Sequence, residues 1–289
     1  MGWRTVLVEN ASKVSYKNKY IVINNDEQNK IFLDEIDVII FANTQVNITG
    51  VALCELSKNK VKIIFCDEKY NPYAEMVNLY GSHNCSKKVD LQTKWSKESK
   101  VTLFTNIIDA KIANQATMLR RLGFEEAAKM LDGYRAELEL NDTTNREGHS
   151  AKVYFNTLFG TSFSRYLQSD INAALDYGYS ILLSYCNREV VKNGCLTQLG
   201  LKHCNEFNYF NLSCDLMEPF RPIVDECVYK NKDKKFDKEY KRKLVDLLNK
   251  TVIYDKSVYL GSAMSTMIKS CIDAMNCQDM DKLKLFYLV

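Results

Sequence analysis

The sequence predicts an α+β protein: a small amino-terminal β-rich domain, residues 1–86, followed by a larger all-helical domain, residues 87–289. Three observations lead there. The first eighty or so residues carry short runs rich in valine, isoleucine and aromatics, separated by polar turns such as Asn24-Asn25-Asp26, which is how strands and hairpins read. From about Lys87 the apolar residues recur at helical spacing and keep doing so. The chain has 46% hydrophobic residues and only three prolines (Pro72, Pro219, Pro222), so its 289 residues can bury real cores without long disordered tracts.

Taken in order, strands are expected over 5–9, 19–24, 30–33, 38–41 and 61–66. One helix interrupts them, where Ile48, Val51, Ala52, Cys54 and Leu56 fall close to helical spacing. Amphipathic helices are then expected over 102–122, over 124–140 after a C-capping Gly123, over 144–159 ending at Gly160, and over 172–193 closed by Gly194. Further helices over 215–231, 236–250 and 262–275 complete a helical body. The stretch 195–214 has no clean period, and structureless segments of that length inside compact domains are often functional. Within 230–243, eight Lys or Arg face three acids; such a run is usually a solvated helix face, and it also suits a phosphate backbone.

Composition narrows the function. None of the ten cysteines forms a C-x-x-C pair, which favours reduced thiols and a cytosolic protein. A zinc site from Cys195, Cys204 and Cys214 with His203 is conceivable, but its spacing fits no common zinc motif. Met1-Gly2-Trp3-Arg4 leads into a strand pattern without a signal-peptide apolar region, and no stretch approaches the roughly 20 apolar residues of a membrane span. A net charge of +3 does not by itself argue for nucleic acid.

Three separated stretches set a possible metal ligand beside an apolar helical face: Asn145-Arg146-Glu147-Gly148-His149, Gly200-Leu201-Lys202-His203 and Asp215-Leu216-Met217-Glu218-Pro219-Phe220-Arg221-Pro222. Glu147 shares a face with Ala151, Tyr154, Phe155, Leu158 and Phe159, and a carboxylate on the core side of a helix needs a partner. Thr144-x-x-Glu147 and Asp215-x-x-Glu218 also fit capping boxes, in which the glutamates would only return to helix amides. Gly148, just inside a helix, suggests that something approaches the backbone closely. Pro219 disturbs the second capping box and predicts a bent or broken helix start. Two carboxylates and one imidazole suit a divalent ion at a phosphodiester, magnesium for the hard oxygens and manganese where a nitrogen joins them.

At these residues the chain resembles the CRISPR-associated adaptation integrases. Tyr154-Phe155-Asn156, Asp170-Ile171-Asn172-Ala173 and Asp176-Tyr177-Gly178-Tyr179 extend the resemblance, and Gly2-Trp3-Arg4-Thr5-Val6 resembles the branch that accompanies type II systems. The similarity runs to about Pro222, and more loosely to about Lys250.

The resemblance implies an amino-terminal β-domain for dimerisation and partner contact, and a helical catalytic domain. It implies homodimers, two of which flank a dimer of the small second adaptation protein, and contact with other type II adaptation proteins. The DNA partners would be a short foreign prespacer fragment and the CRISPR repeat. The activity would be that of a DNA endonuclease and integrase in antiviral defence, each fragment 3′-hydroxyl attacking a phosphodiester of the array in a metal-dependent transesterification. Motif by motif, Glu147, His203 and Glu218 would bind the metal, with Mg2+ or Mn2+ as cofactor, and Asp215 would orient a ligand or substitute for one. The rival expectations are a nuclease that cuts branched DNA without integrating, and a non-catalytic DNA-binding scaffold.

Overall fold

The computed structural model describes residues 2–78 and 82–289; Met1 and positions 79–81 of the expected first domain lie outside the described residues. The amino-terminal region runs β1 (Arg4–Val8), β2 (Ser12–Lys17), β3 (Tyr20–Asn24), β4 (Gln28–Phe32), β5 (Ile36–Phe41), β6 (Val46–Ile48), α1 (Gly50–Lys58), β7 (Lys62–Cys66) and β8 (Pro72–Met76). One sheet has the order β1-β5-β7-β8, with β8 antiparallel to three parallel strands. The other has the order β4-β3-β2-β6. Strands β2, β6 and β8 were not evident in the sequence. Their residues are mostly polar or half exposed, so no apolar alternation marks them.

The helical region holds α2 (Cys85–Thr93), α3 (Lys97–Arg121), α4 (Glu125–Ala136), α5 (Arg146–Phe159), α6 (Asp170–Lys192), α7 (Asn211–Leu216), α8 (Arg221–Lys230), α9 (Lys238–Val245) and α10 (Leu260–Cys277). A short hairpin of β9 (Thr251–Tyr254) and β10 (Lys256–Tyr259) precedes α10. It departs from the all-helical expectation, and strands of four residues are too short to display a period. The expected β-rich region followed by a mainly helical body is otherwise what the chain forms. Gly123, Gly160 and Gly194 all take positive φ at helix ends, the backbone conformation that stops a helix.

The parallel strands explain how the two regions meet. Val38, Ile40, Ala42, Ile64 and Cys66 pack into the helical core with Leu175, Leu182 and Met264. Ile39, Phe41 and Ile63, one residue out of phase, pack with Val14, Ile21, Ala52 and Leu56 on the opposite face. Because strand side chains alternate, β5 and β7 are apolar on both faces and read as near-continuous hydrophobic runs. Across this boundary Arg188 of α6 donates to Asp37 of β5, and Tyr185 donates to the same carboxylate at 2.8 Å.

Candidate active site on the helical face

Glu147 is placed by a turn rather than by a capping box. Asn141, Asp142 and Asn145 all take the left-handed conformation, which short polar side chains tolerate. Asp142 accepts from the amides of Arg146 at 2.6 Å and Glu147 at 3.3 Å, doing the work expected of Thr144. Thr144 donates instead to the carbonyl of Glu137. The Glu147 carboxylate is therefore free of its own helix and accepts from Lys111 Nζ at 2.7 Å. The close approach expected at Gly148 is made by the Asn145 side chain, whose Oδ1 lies 2.7 Å from where a Cβ would stand.

Glu218 does not cap a helix either. The expected 215–231 helix breaks into α7, a 3-10 turn over Glu218–Phe220 and α8, as Pro219 and Pro222 require. Fully buried, the Glu218 carboxylate pairs with Lys111 Nζ at 2.6 Å and Arg221 Nε at 2.9 Å. Burial opposes its ionisation, but Arg221 and Lys111 outweigh that and hold its pKa below the ordinary carboxylate value. Burial likewise opposes the Lys111 ammonium, yet Glu218 and Glu147 keep its pKa raised. Arg221 is fixed from behind: its guanidinium lies 4.5 Å from the Tyr179 ring centre, and Tyr179 donates to buried Asp225.

His203 stands in the irregular stretch, which wraps around a buried acid. Asp215 accepts from the amide of Leu201 at 2.7 Å and from Lys202 at 3.3 Å, and its Oδ1 lies 2.6 Å from His203 Nδ1. A carboxylate partner puts the proton on Nδ1, leaving Nε2 as the lone-pair nitrogen. The bond to Asp215 raises the His203 pKa, and Glu218 and Glu147 raise it further, so the imidazole feels both acids. The side chain is half exposed and Nε2 has no partner among the described residues.

The two glutamates thus converge on one cation, with the imidazole in electrostatic reach and Asp215 orienting it. Among the described residues no three His, Cys, Asp or Glu side chains stand at metal-binding separation. The point of convergence is taken by Lys111. The donor chemistry still fits a hard cation: two carboxylates present oxygens to one point, and Glu218 Oε2 is buried there 2.6 Å from Lys111 Nζ. The conceivable zinc site does not form. Cys195 is buried with its thiol pushed up to about 12 by burial, Cys204 is exposed, and His203 is turned to Asp215. Much of the 230–243 run is paired within the chain, Lys230 to Glu226, Lys238 and Arg242 to Glu9, and Lys243 to Glu239.

Lys111, Arg221 and Asp142 escaped the sequence reading. Lys111 had left a signal: it continues the buried α3 face of Phe104, Ile107 and Ile108 at helical spacing, and a charge on such a face needs a partner.

Solved structures share this architecture, two of them as follows. A chain of a Cas6-RT-Cas1–Cas2 complex superposes with a TM-score of 0.76 at 17% identity, covering 99% of this chain and 36% of that longer one. A casposase bound to integration product superposes at 0.74 with 19% identity, covering 98% of this chain and 94% of that one. The fold is therefore of the Cas1 and casposase type. A family model described as CRISPR associated protein Cas1 matches residues 5–250. The CRISPR-associated endonuclease Cas1 of Neisseria meningitidis serogroup C is 36% identical over 226 residues, 78% of this chain and 74% of that protein. The chain belongs to the Cas1 family of CRISPR-associated proteins.

Proposed function

We propose that the protein is a metal-dependent DNA endonuclease and integrase of CRISPR adaptation, joining the 3′-hydroxyls of short foreign fragments to the CRISPR array by transesterification. The convergence of Glu147 and Glu218 on a single cation position, with His203 Nε2 left free by Asp215, carries this reading. Family membership supports it, as do the endonuclease name of the Neisseria relative and the integration product held by the casposase.

Glu147, Glu218 and His203 would hold one Mg2+ or Mn2+ per active site, the cation class that their oxygen and nitrogen donors suit. Such an ion, when bound, supplies Lewis-acid stabilisation of phosphoryl charge and favours the ionised hydroxyl. The chain's own residues do the remaining work. Asp215 fixes the tautomer and direction of His203. Arg221 anchors Glu218 and would place a permanent positive charge beside the reacting phosphodiester. No protein nucleophile is needed, since the fragment hydroxyl attacks.

Residues 87–289 would form the catalytic domain and residues 1–86 the dimerisation and partner-contact domain. The partners would be a second copy of the chain, prespacer and repeat DNA, the small second adaptation protein with two dimers around its own, and other type II adaptation proteins. A complex containing Cas2 among the structural neighbours supports that assembly. Its place of action would be the prokaryotic cytoplasm; no helix among the described residues is long and apolar enough to cross a membrane.

The test is strand joining by Glu147→Gln, His203→Ala and Glu218→Gln proteins. Each is expected to lose joining by on the order of a hundredfold or more while keeping its circular dichroism and oligomeric state. Wild-type joining by Glu218→Gln would remove that residue from the assignment. Fragments with blocked 3′ ends are expected to stay unjoined; a protein that cuts branched DNA but never joins free ends would be the non-integrating nuclease instead.

A further inference from the structure

We propose that Lys111 is a placeholder cation: its ammonium holds the position between Glu147 and Glu218 that a divalent ion takes, and gives it up when that ion binds. The proposal presupposes the metal-dependent activity above and assigns a role to a residue outside the expected ligand set.

The geometry is specific. Lys111 reaches from the middle of α3 to the start of α5 and to the 3-10 turn before α8, with Nζ 2.7 Å from Glu147 and 2.6 Å from Glu218. Among the described residues no other cation pairs with Glu147, so without Lys111 or an ion two carboxylates would face one point unshielded. Like charges held that close repel one another. A resident ammonium offsets that repulsion and keeps the pair convergent in the ion-free protein.

The same contact can be given up. Its Glu218 arm is a charge contact of 2.6 Å to a buried carboxylate oxygen, a position that another cation can fill. Lysine carries a compact charge on a flexible stem and can swing away; an arginine fork in the same place would resist. At 12% exposure the Lys111 side chain is not sealed from solvent. Arg221, the other cation on Glu218, is pinned against Tyr179. The charge balance follows: two carboxylates are neutralised by Lys111 and Arg221, and a divalent ion entering beside the displaced ammonium leaves the site positive, as a phosphodiester requires. Competition with Lys111 also weakens ion binding, because only the fraction of molecules with the ammonium displaced is competent.

The experiment is Mn2+ titration of DNA-free protein by calorimetry and electron paramagnetic resonance, with wild type, Lys111→Met, Lys111→Arg and His203→Ala. Lys111→Met removes the competitor and is expected to bind Mn2+ on the order of tenfold more tightly. It should also melt lower without ion and gain more from Mn2+ than wild type does. Lys111→Arg keeps a competing charge and is expected to bind no better than wild type. Equal or weaker binding by Lys111→Met, with wild-type binding intact and dependent on His203, overturns the placeholder role alone. No His203-dependent binding by any protein overturns the metal reading itself. If Lys111→Met fails to fold, a Mn2+-soaked wild-type crystal decides: Lys111 withdrawn from at least one glutamate supports the role, and Lys111 still on both overturns it.

Discussion

His203 is readable as a candidate from the sequence; what directs it is not. Its Nδ1 bond to fully buried Asp215 raises its pKa, so the folded state holds the proton more firmly than the unfolded chain does. The sign follows. The contribution to stability is present in full below the ordinary histidine value of about 6.5 and is lost as pH rises through the higher folded value. Half exposure and solvent screening keep the effect small. Melting temperature measured against pH should therefore fall more steeply across neutrality for wild type than for His203→Ala, and superimposable slopes would contradict the pairing. A proton on the imidazole also competes with any metal, so Mn2+ affinity should climb over the same range.

At the scale of elements, the stretch before α7 shows why some function hides from periodicity. Its backbone is satisfied by side chains of its neighbours instead of by a ladder: Gln92 bonds to Leu196, Asn211 to the carbonyls of Gln198 and Asn205, and Asp215 to the amides of Leu201 and Lys202. Such wrapping leaves no repeat to count. Gly200 permits the tightest part of it, since a Cβ there would stand 2.3 Å from the His203 carbonyl oxygen and 3.0 Å from Asp215 Oδ2. Gly200→Ala is expected to cost about 1–3 kcal/mol in denaturant melts and to displace His203, weakening Mn2+ binding while the helices persist. Unchanged binding would show that the loop accommodates the methyl without moving the imidazole. The broken helix at Pro219 was, by contrast, legible beforehand, because a missing amide and a ring clash are local facts.

At the scale of the whole molecule, the segment 283–289 closes the core under the site although the family match ends at 250. Phe286 is fully buried and stacks on Phe220 at 4.8 Å, directly after Glu218 and Pro219. Buried Asn114 of α3 ties the same places together, donating to the carbonyls of Pro219 at 2.7 Å and Phe286 at 3.0 Å and accepting from the amide of Leu288. Phe286→Ala should cost about 3–5 kcal/mol in urea melts, the range for removing a buried aromatic. A loss under about 1 kcal/mol would mean that the segment does not support the turn.

The sequence alone determined what local spacing can carry. It set the β-rich start and mainly helical remainder, the glycines that end helices, the proline break, and three motifs whose order identifies the family. Tertiary structure decided which charges meet. Asp142 rather than Thr144 caps α5, Asp215 turns His203, and Lys111 stands between two glutamates far apart in the chain. The physical reason is that periodicity records only which face a residue occupies, whereas an ion pair depends on which other face folds against it.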